Sequence, residues 1–219
     1  MTFARPDGQT CPGYLALPPQ QEEAPGIVMF QEWWGIDQHI TVLADRLATE
    51  GFRVLVPDLY RGRVAATGDE AHHLMEGLDF VDATLQDGRG AALYLKEAGT
   101  KVGCVGFCMG GALVVASAMN VREFDAAAVF YGLPPDSSWN IEAIRIPIQG
   151  HWALDDEHFP IEGVELFERR LKEAGKAHEF HRYDAKHAFM NPEGLGNFHP
   201  EHADAAWKRT VEFFHRSLE

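Results

Sequence analysis

The stretch that decides the fold is Val105-Gly106-Phe107-Cys108-Met109-Gly110-Gly111. It contains a G-x-C-x-G pentapeptide centred on Cys108. An apolar run, 101–105, leads into it, and a run of small residues with helical character, 110–119, follows it. A strand, a sharp turn that carries one reactive side chain, and a helix together make a nucleophile elbow, so the stretch predicts that Cys108 lies at such a turn.

Two properties of this turn bear on the chemistry of Cys108. Glycines flank the residue because the turn brings backbone atoms too close together for side chains. The start of the following helix supplies free N–H groups and the positive end of the helix dipole. We therefore expect the Cys108 thiol to ionise more easily than a free cysteine. A cysteine where such elbows usually carry serine indicates thiol-based acyl transfer.

Strand-like and helical patterns alternate along the chain. The predicted strands are 13–17, 26–31, 52–57, 102–107, 126–131, 145–150 and 179–183, and the predicted helices are 39–50, 82–98, 110–119, 161–174 and 201–218. A polar turn, 18–25, separates the first two strands. The strands are nearly continuous apolar runs, which is typical of parallel strands buried on both faces. The pattern predicts one α/β domain over 1–219, with a doubly wound, mostly parallel sheet and helices on both faces.

Composition excludes several classes of partner. The chain has 219 residues and a formal net charge of −14, so phosphates of nucleic acids and of anionic membranes would be repelled. The three cysteines, Cys11, Cys104 and Cys108, do not make a disulfide framework, and the simplest compartment is the reducing cytosol. The first residues contain no apolar secretory segment, and no apolar stretch approaches the length of a membrane span.

Several reactive side chains follow predicted strands. Ligands of doubly wound sheets gather at the carboxyl ends of the strands, where these side chains would share one rim. After Cys108 the chain offers Asp155 and Asp156 behind one strand and His187 behind another. This gives the order nucleophile, acid, histidine, which predicts Cys108 as nucleophile, His187 as general base and then acid, and an aspartate that orients the imidazole. The residues alone do not separate Asp155 from Asp156.

The remaining parts of an acyl-transfer site have candidates too. Backbone N–H groups should hold the oxyanion, with Met109 directly after the nucleophile and Trp33 after an early strand as the donors. The candidates for the pocket lining are Trp34, Tyr131, Trp152 and Phe189.

The residues resemble the dienelactone hydrolases, a cysteine branch of the α/β-hydrolase superfamily, over nearly the whole chain. The segments that carry the resemblance are Gln31-Glu32-Trp33-Trp34-Gly35, Pro57-Asp58-Leu59-Tyr60, Gly106–Gly111, Phe130-Tyr131-Gly132, Asp156 with Pro160, His187-Ala188-Phe189, and the helix from His199 to Thr210. The resemblance implies the α/β-hydrolase fold and favours Asp156 over Asp155. It also implies that Glu32 contacts the nucleophilic cysteine and helps to make the thiolate when substrate arrives, which is plausible if burial raises the pKa of the carboxyl.

One departure from the family concerns the substrate anchor. Dienelactone hydrolases hold a substrate carboxylate with arginines, one of them four residues after the catalytic histidine, where this chain has Asn191. The segment 68–74, where the resemblance places the second, contains no arginine either. Arg61 or Arg63 is the candidate replacement, and His72 or His73 is a weaker one.

Metal and nucleotide chemistry have little support in the sequence. Eleven histidines are present, but no set with ligand spacing joins them, although His199 and His202 could face one way near a helix start. No glycine-rich nucleotide motif follows a strand. We therefore expect no metal and no cofactor.

The sequence thus predicts a cytosolic hydrolase of a small lactone or carboxylic ester, of the carboxymethylenebutenolidase type, acting through a thioester. Two alternatives remain. A glutaminase-type amidotransferase also uses a G-x-C-x-G elbow, but its H-x-E pair is absent after Cys108. A redox-sensing or non-catalytic thiol protein would need no ordered acid and histidine.

Overall fold

The computed structural model describes residues 1–19 and 24–219 and is centred on one eight-stranded sheet. The strands are β1 (Thr2–Ala4), β2 (Thr10–Ala16), β3 (Gly26–Phe30), β4 (Arg53–Pro57), β5 (Val102–Phe107), β6 (Ala126–Phe130), β7 (Ile148–Asp155) and β8 (His178–Lys186). They lie in the order β1-β2-β4-β3-β5-β6-β7-β8. β1 and β2 pair antiparallel with their neighbours, and all other pairs are parallel.

Helices cover both faces of this sheet. They are α1 (Gln38–Thr49), α2 (Gly68–Glu76), α3 (Phe80–Asp82), a π-helical segment (Ala83–Gly88), α4 (Arg89–Lys96), α5 (Met109–Asn120), α6 (Ile161–Glu173) and α7 (Pro200–Leu218). One apolar cluster contains side chains of α4, α5 and α6, and a second contains side chains of α1 and α7. Every residue of β3, β5 and β6 is buried between the two layers. The predicted doubly wound, mostly parallel sheet is confirmed.

The element bounds differ from the predicted ones at particular places. The strand expected over 145–150 is β7, which starts after Pro147, because proline donates no ladder hydrogen bond, and continues to Asp155. The helix expected over 82–98 is interrupted by the π-helical segment. Strand β1 and helix α2 were not among the predicted elements, since one has three residues and the other buries only Ala71 and Leu74. Residues 20–23 of the expected polar turn lie outside the described residues.

A buried ion cluster ties the N-terminal edge of the sheet to the π-helical segment. Asp87 accepts hydrogen bonds from Arg5 at 3.0 Å and from Arg61 at 2.9 Å to each carboxylate oxygen. Its side chain is only 2% exposed. Arg5 also pairs with Asp82 at 2.7 Å, but that carboxylate is 41% exposed. Because an unpaired buried charge is costly, Asp87 is expected to stabilise this edge far more than Asp82.

We therefore predict that Asp87→Ala lowers the free energy of unfolding by about 3 kcal/mol, since two guanidinium groups lose their shared buried partner. Asp82→Ala, the matched control on the same arginine, should cost about 1 kcal/mol or less because its pair is screened by solvent. Urea unfolding followed by circular dichroism measures both. Equal losses for the two variants would contradict the assignment.

Candidate active site

Cys108 lies between β5 and α5 with an unusual backbone conformation. Its φ of 54° and ψ of −117° place a non-glycine residue in a region that costs free energy. The neighbouring glycines are required sterically: a Cβ on Gly106 would lie 2.2 Å from the carbonyl oxygen of Gly110, and one on Gly110 would lie 2.4 Å from that of Phe30. The strand, turn and helix predicted around Cys108 are therefore confirmed.

His187 and Asp156 form a buried hydrogen-bonded pair. The distance from His187 Nδ1 to Asp156 Oδ2 is 2.8 Å. The other oxygen, Oδ1, accepts the backbone N–H groups of His158 and Phe159, each at 2.9 Å. A carboxylate only accepts, so Nδ1 carries the proton and Nε2 is left free as a base. Asp155 lies elsewhere, exposed, with its carboxylate 3.8 Å from Lys186, so the pair selects Asp156.

Glu32 follows β3 and is a buried carboxyl with two hydrogen-bond donors. Only 1% of the residue is exposed. The hydroxyl of Tyr131 donates to Oε1 at 3.3 Å, and the amide of Asn191 donates to Oε2 at 2.6 Å. Burial raises the pKa of Glu32 to about 7, although both donors and the nearby His187 lower it. Glu32 therefore holds its proton about half of the time near neutral pH.

The Cys108 thiol does not have the low pKa that the helix start predicts. Burial raises its pKa well above the ordinary value, and the nearby carboxyls of Glu32 and Asp156 raise it further. The backbone N–H of Met109 acts in the opposite direction but is outweighed. The expectation of an easily ionised thiol is wrong for this structure, because desolvation exceeds the effect of the helix N-terminus.

A cavity of about 370 Å³ brings most of the predicted site residues together. The predicted residues that line it are Cys108, His187, Glu32, Trp33, Trp34 and Met109. Asp156 lies behind His187. Among the described residues, neither the Trp33 nor the Met109 N–H donates to a backbone carbonyl, so both remain available as donors. A thiol, an imidazole base and N–H donors thus surround a space that is large enough for one small molecule.

Four predicted pocket residues do not line this cavity. Arg61 is bound to Asp87 and to the carbonyl oxygen of Asp58, so its guanidinium is already occupied. Tyr131 is fully buried behind the cavity, where its hydroxyl donates to Glu32 and its ring packs against that of His187 at a centroid distance of 5.1 Å. Trp152 packs against Phe180 in the core, and Phe189 packs against Tyr131 and Tyr183. The three aromatic rings pack in the apolar core because the strands and loops that carry them direct them away from the cavity.

The cavity also has lining residues that the sequence reading did not assign to it. They are Met75, His158, Phe159, Ala188 and Leu195, together with His72, which was named only as a possible anchor. The sequence offered a signal for His158 and Phe159, since both follow Asp156 in the same loop. In the structure their rings contact that of His187 at centroid distances of 4.7 and 5.6 Å. Met75 lies on the polar helix α2, for which the sequence gives only a weak apolar signal.

His199 and His202 lie together at the start of α7. The rings of His199 and His202 stack at a centroid distance of 3.9 Å, and His199 caps the start of α7 by accepting the N–H of His202. Within 1–19 and 24–219, no group of three or more potential ligand side chains is arranged to hold a metal ion. No helix in those ranges combines the length and apolar character needed to cross a bilayer.

Comparison with known proteins identifies the family of this chain. The profile of the dienelactone hydrolase family matches residues 11–218. A protein of Aquifex aeolicus named "Putative carboxymethylenebutenolidase" is 33% identical over 216 residues, which cover 92% of this chain and 91% of that protein. A solved structure from Klebsiella pneumoniae, "Putative Dienelactone Hydrolase", is 25% identical with a TM-score of 0.86 and covers 98% of this chain and 97% of its own.

A further solved structure bears on the fold alone. It is a dienelactone hydrolase-like promiscuous phosphotriesterase from metagenomic libraries, 21% identical with a TM-score of 0.84, and the match covers 100% of this chain and 98% of that one. The family profile and the relative of 33% identity both span almost all of the sequence, elbow included. On these grounds the chain belongs to the dienelactone hydrolase family.

Proposed function

We propose that the chain hydrolyses a small lactone or carboxylic ester, with Cys108 as nucleophile, His187 as acid–base group and Asp156 orienting the imidazole. The observation that carries the proposal is the 2.8 Å hydrogen bond between His187 and Asp156 beside a cavity that Cys108 also lines. Membership of the dienelactone hydrolase family supports a hydrolase of the lactone or ester type in general.

Acylation starts with removal of the thiol proton. The proton passes from Cys108 first to Glu32, the acceptor that the family resemblance implies, and then to Nε2 of His187. The thiolate adds to the acyl carbon, and the negative charge on the carbonyl oxygen is held by the N–H groups of Trp33 and Met109. When the carbon–oxygen bond breaks, the imidazolium of His187 gives its proton to the leaving oxygen, and a thioester remains on Cys108.

Deacylation uses the same groups, with water in place of the thiol as the nucleophile. Neutral His187 takes a proton from a water molecule, whose oxygen attacks the thioester carbonyl. The carbon–sulfur bond breaks, the acid product leaves, and the proton returns from His187 to the sulfur. Asp156 stabilises the imidazolium in both halves without taking the proton itself.

The raised pKa of the half-buried thiol favours this proposal over the redox-sensing alternative. Redox-sensing cysteines are exposed and have a low pKa, whereas burial raises the pKa of Cys108 and the residue is half-buried. The glutaminase alternative has no support from the family match. We keep a single catalytic domain and a reducing, cytosolic compartment as parts of the proposal, the latter because all three cysteines are free.

Cys108→Ala is expected to lower kcat/KM for p-nitrophenyl acetate by at least about 10³-fold, because the atom that bonds to the acyl carbon is removed. The far-ultraviolet circular dichroism should be unchanged. Cys104→Ala is the matched control, since Cys104 is buried in β5 and does not line the cavity, and it should keep the activity of the folded protein. Activity in Cys108→Ala comparable to that of the control would overturn the mechanism.

Asp156→Asn is expected to lower kcat on the same ester by about 10³- to 10⁴-fold, because an amide no longer enforces the His187 tautomer with a free Nε2. Asp155→Asn provides a neighbouring control of identical chemistry on an exposed side chain and should stay within twofold of the wild type. Steady-state kinetics separates the two. A larger loss of kcat in Asp155→Asn than in Asp156→Asn would mean that Asp155 orients the imidazole.

Glu32→Gln tests the buried carboxyl through stability. Between the ordinary pKa of 4.5 and the folded value of about 7, the folded state keeps a proton that the unfolded state has released. The wild-type free energy of unfolding therefore falls across this window by about 3 kcal/mol, and the penalty is complete above pH 7. The variant lacks this loss, so its stability relative to wild type should rise from pH 4.5 to 7 and then level off.

Urea unfolding at a series of pH values measures that difference. Glu50→Gln, on an exposed glutamate at the end of α1, supplies the control profile. A difference between Glu32→Gln and wild type that does not change with pH would mean that Glu32 is ionised normally in the folded state.

A further inference from the structure

A second cleft of about 620 Å³ lies beside the catalytic cavity. One wall is a face of α5 that presents Met109, Ala112, Ala116 and Met119, at the three- and four-residue spacing of one helix side. The opposite wall is formed by α3, the π-helical segment and the loop that follows β6. From Met109 to Met119 the cleft follows α5 for roughly 15 Å.

The cleft is continuous with the catalytic cavity. Met75, Met109 and Phe159 line both spaces. Met109 directly follows the nucleophile, and the ring of Phe159 lies 5.6 Å from that of His187. A molecule whose carbonyl carbon is at Cys108 can therefore extend one of its arms past these three side chains and along α5.

The chemistry of the cleft is apolar. No charged side chain lines it among the described residues. Its three polar side chains are already engaged: Thr84 donates to the carbonyl oxygen of Phe80 at 2.7 Å, Asn120 to that of Ala116 at 2.8 Å, and Ser138 to that of Pro135 at 2.6 Å. What remains for a ligand is methyl, methylene, thioether and aromatic surface, which binds hydrocarbon.

Two side chains at the cleft leave apolar surface open to solvent. Phe80 is 40% exposed and Val81 is 66% exposed, in a helix of three residues that leads into the π-helical segment. π-Helical turns often occur at functional sites, and here Thr84 and Leu85 of the segment line the cleft. Exposed apolar residues grouped along a cleft are typical of a ligand site.

In the described chain neither space offers a permanently charged cation to an acidic substrate, and His72, which lines the cavity, pairs with Glu76 at 3.3 Å. The residues that line the cavity and the cleft include no lysine and no arginine in the described chain. Arg61 is bound to Asp87, and the amide of Asn191 is bound to Glu32. A carboxylate would enter without a guanidinium or ammonium partner and beside the buried Glu32, and this is unfavourable.

We propose that the cleft binds an apolar arm, alkyl or aryl, of an uncharged ester, and that the preferred substrates are neutral esters with an extended hydrocarbon portion. This inference rests on the proposed function. The arm lies along α5 between Met109 and Met119 while the ester carbonyl lies at Cys108. The arm belongs to the acyl side or to the alcohol side of the ester, and a hydrocarbon arm on either side would make the same apolar contacts with the cleft.

Two ester series test the proposal and distinguish the two sides. In the first, p-nitrophenyl acetate, butyrate, hexanoate, octanoate and decanoate vary the acyl arm, and in the second, methyl to octyl acetates vary the alcohol arm. In one series kcat/KM should rise about threefold per added methylene group until the cleft is filled. Adding a terminal carboxylate to the favoured arm should lower kcat/KM by more than tenfold.

Ala116→Trp blocks the cleft without contacting the catalytic cavity, because Ala116 lines only the cleft. It should remove the chain-length dependence and leave hydrolysis of methyl acetate, which has no extended arm on either side, unchanged. Val81→Asp, on the exposed rim, gives a second variant that does not disturb packing and should lower kcat/KM for the long ester at least tenfold. Val42→Trp, on the exposed face of α1, is the control for added bulk and should behave like wild type.

A binding measurement separates this inference from the proposed function. Methyl octanoate, titrated calorimetrically into Cys108→Ala, should bind at least tenfold more tightly than into Cys108→Ala/Ala116→Trp, whether or not the wild-type chain hydrolyses esters. If acetates are hydrolysed but neither series depends on length, or if methyl octanoate binds both chains equally, the cleft is not a substrate site.

Discussion

The left-handed backbone at Cys108 is the constraint on which the rest of the site depends. Such a conformation costs a non-glycine residue about 1–3 kcal/mol, and close packing on both sides of the turn maintains it. A Cβ on Gly132 would lie 1.9 Å from the carbonyl oxygen of Cys108, and one on Gly110 would lie 2.4 Å from that of Phe30. These approaches fix α5 against β3 and β6. The sulfur therefore extends past the end of β5 into a space to which β3 contributes Glu32 and the loop after β8 contributes His187.

Burial, more than the helix dipole, sets the protonation of this space. Desolvation raises the pKa values of both the Cys108 thiol and the Glu32 carboxyl. Nearby acids raise them further, Glu32 and Asp156 for Cys108 and Asp37 for Glu32. Ionisation of either group makes ionisation of the other less favourable, because two like charges would share a poorly solvated cavity. The resting site thus keeps Cys108 as a thiol. A thiol of this kind is slow to oxidise, and it becomes a nucleophile only when its proton is taken by a nearby base.

The sequence predicted which side chains follow the strands of the candidate site better than it predicted the lining of the cavity, for a physical reason. Cys108, Asp156 and His187 each follow a strand, and the topology of a parallel sheet brings strand ends together whatever the side chains are. The choice of Asp156 over Asp155 depended on the family resemblance, since adjacent residues differ only in which way the loop turns them. Arg61 could not be assigned because its partner, Asp87, lies 26 residues further on. Trp152 and Phe189 could not be assigned either, since an aromatic side chain near a strand end packs inward or lines a pocket according to details of register.

Asn191 connects the protonation of Glu32 to the charge of the substrate. The resemblance implies a guanidinium at this position, which would lower the pKa of a neighbouring carboxyl and offer a partner to a substrate carboxylate. The amide of Asn191 holds Glu32 Oε2 at 2.6 Å but carries no charge, so desolvation prevails and the pKa of Glu32 rises to about 7. The same neutral amide supplies no guanidinium to an acidic substrate. The proposed preference for an uncharged ester and the raised pKa of Glu32 thus have one structural cause, which is the uncharged amide of Asn191 beside this carboxyl.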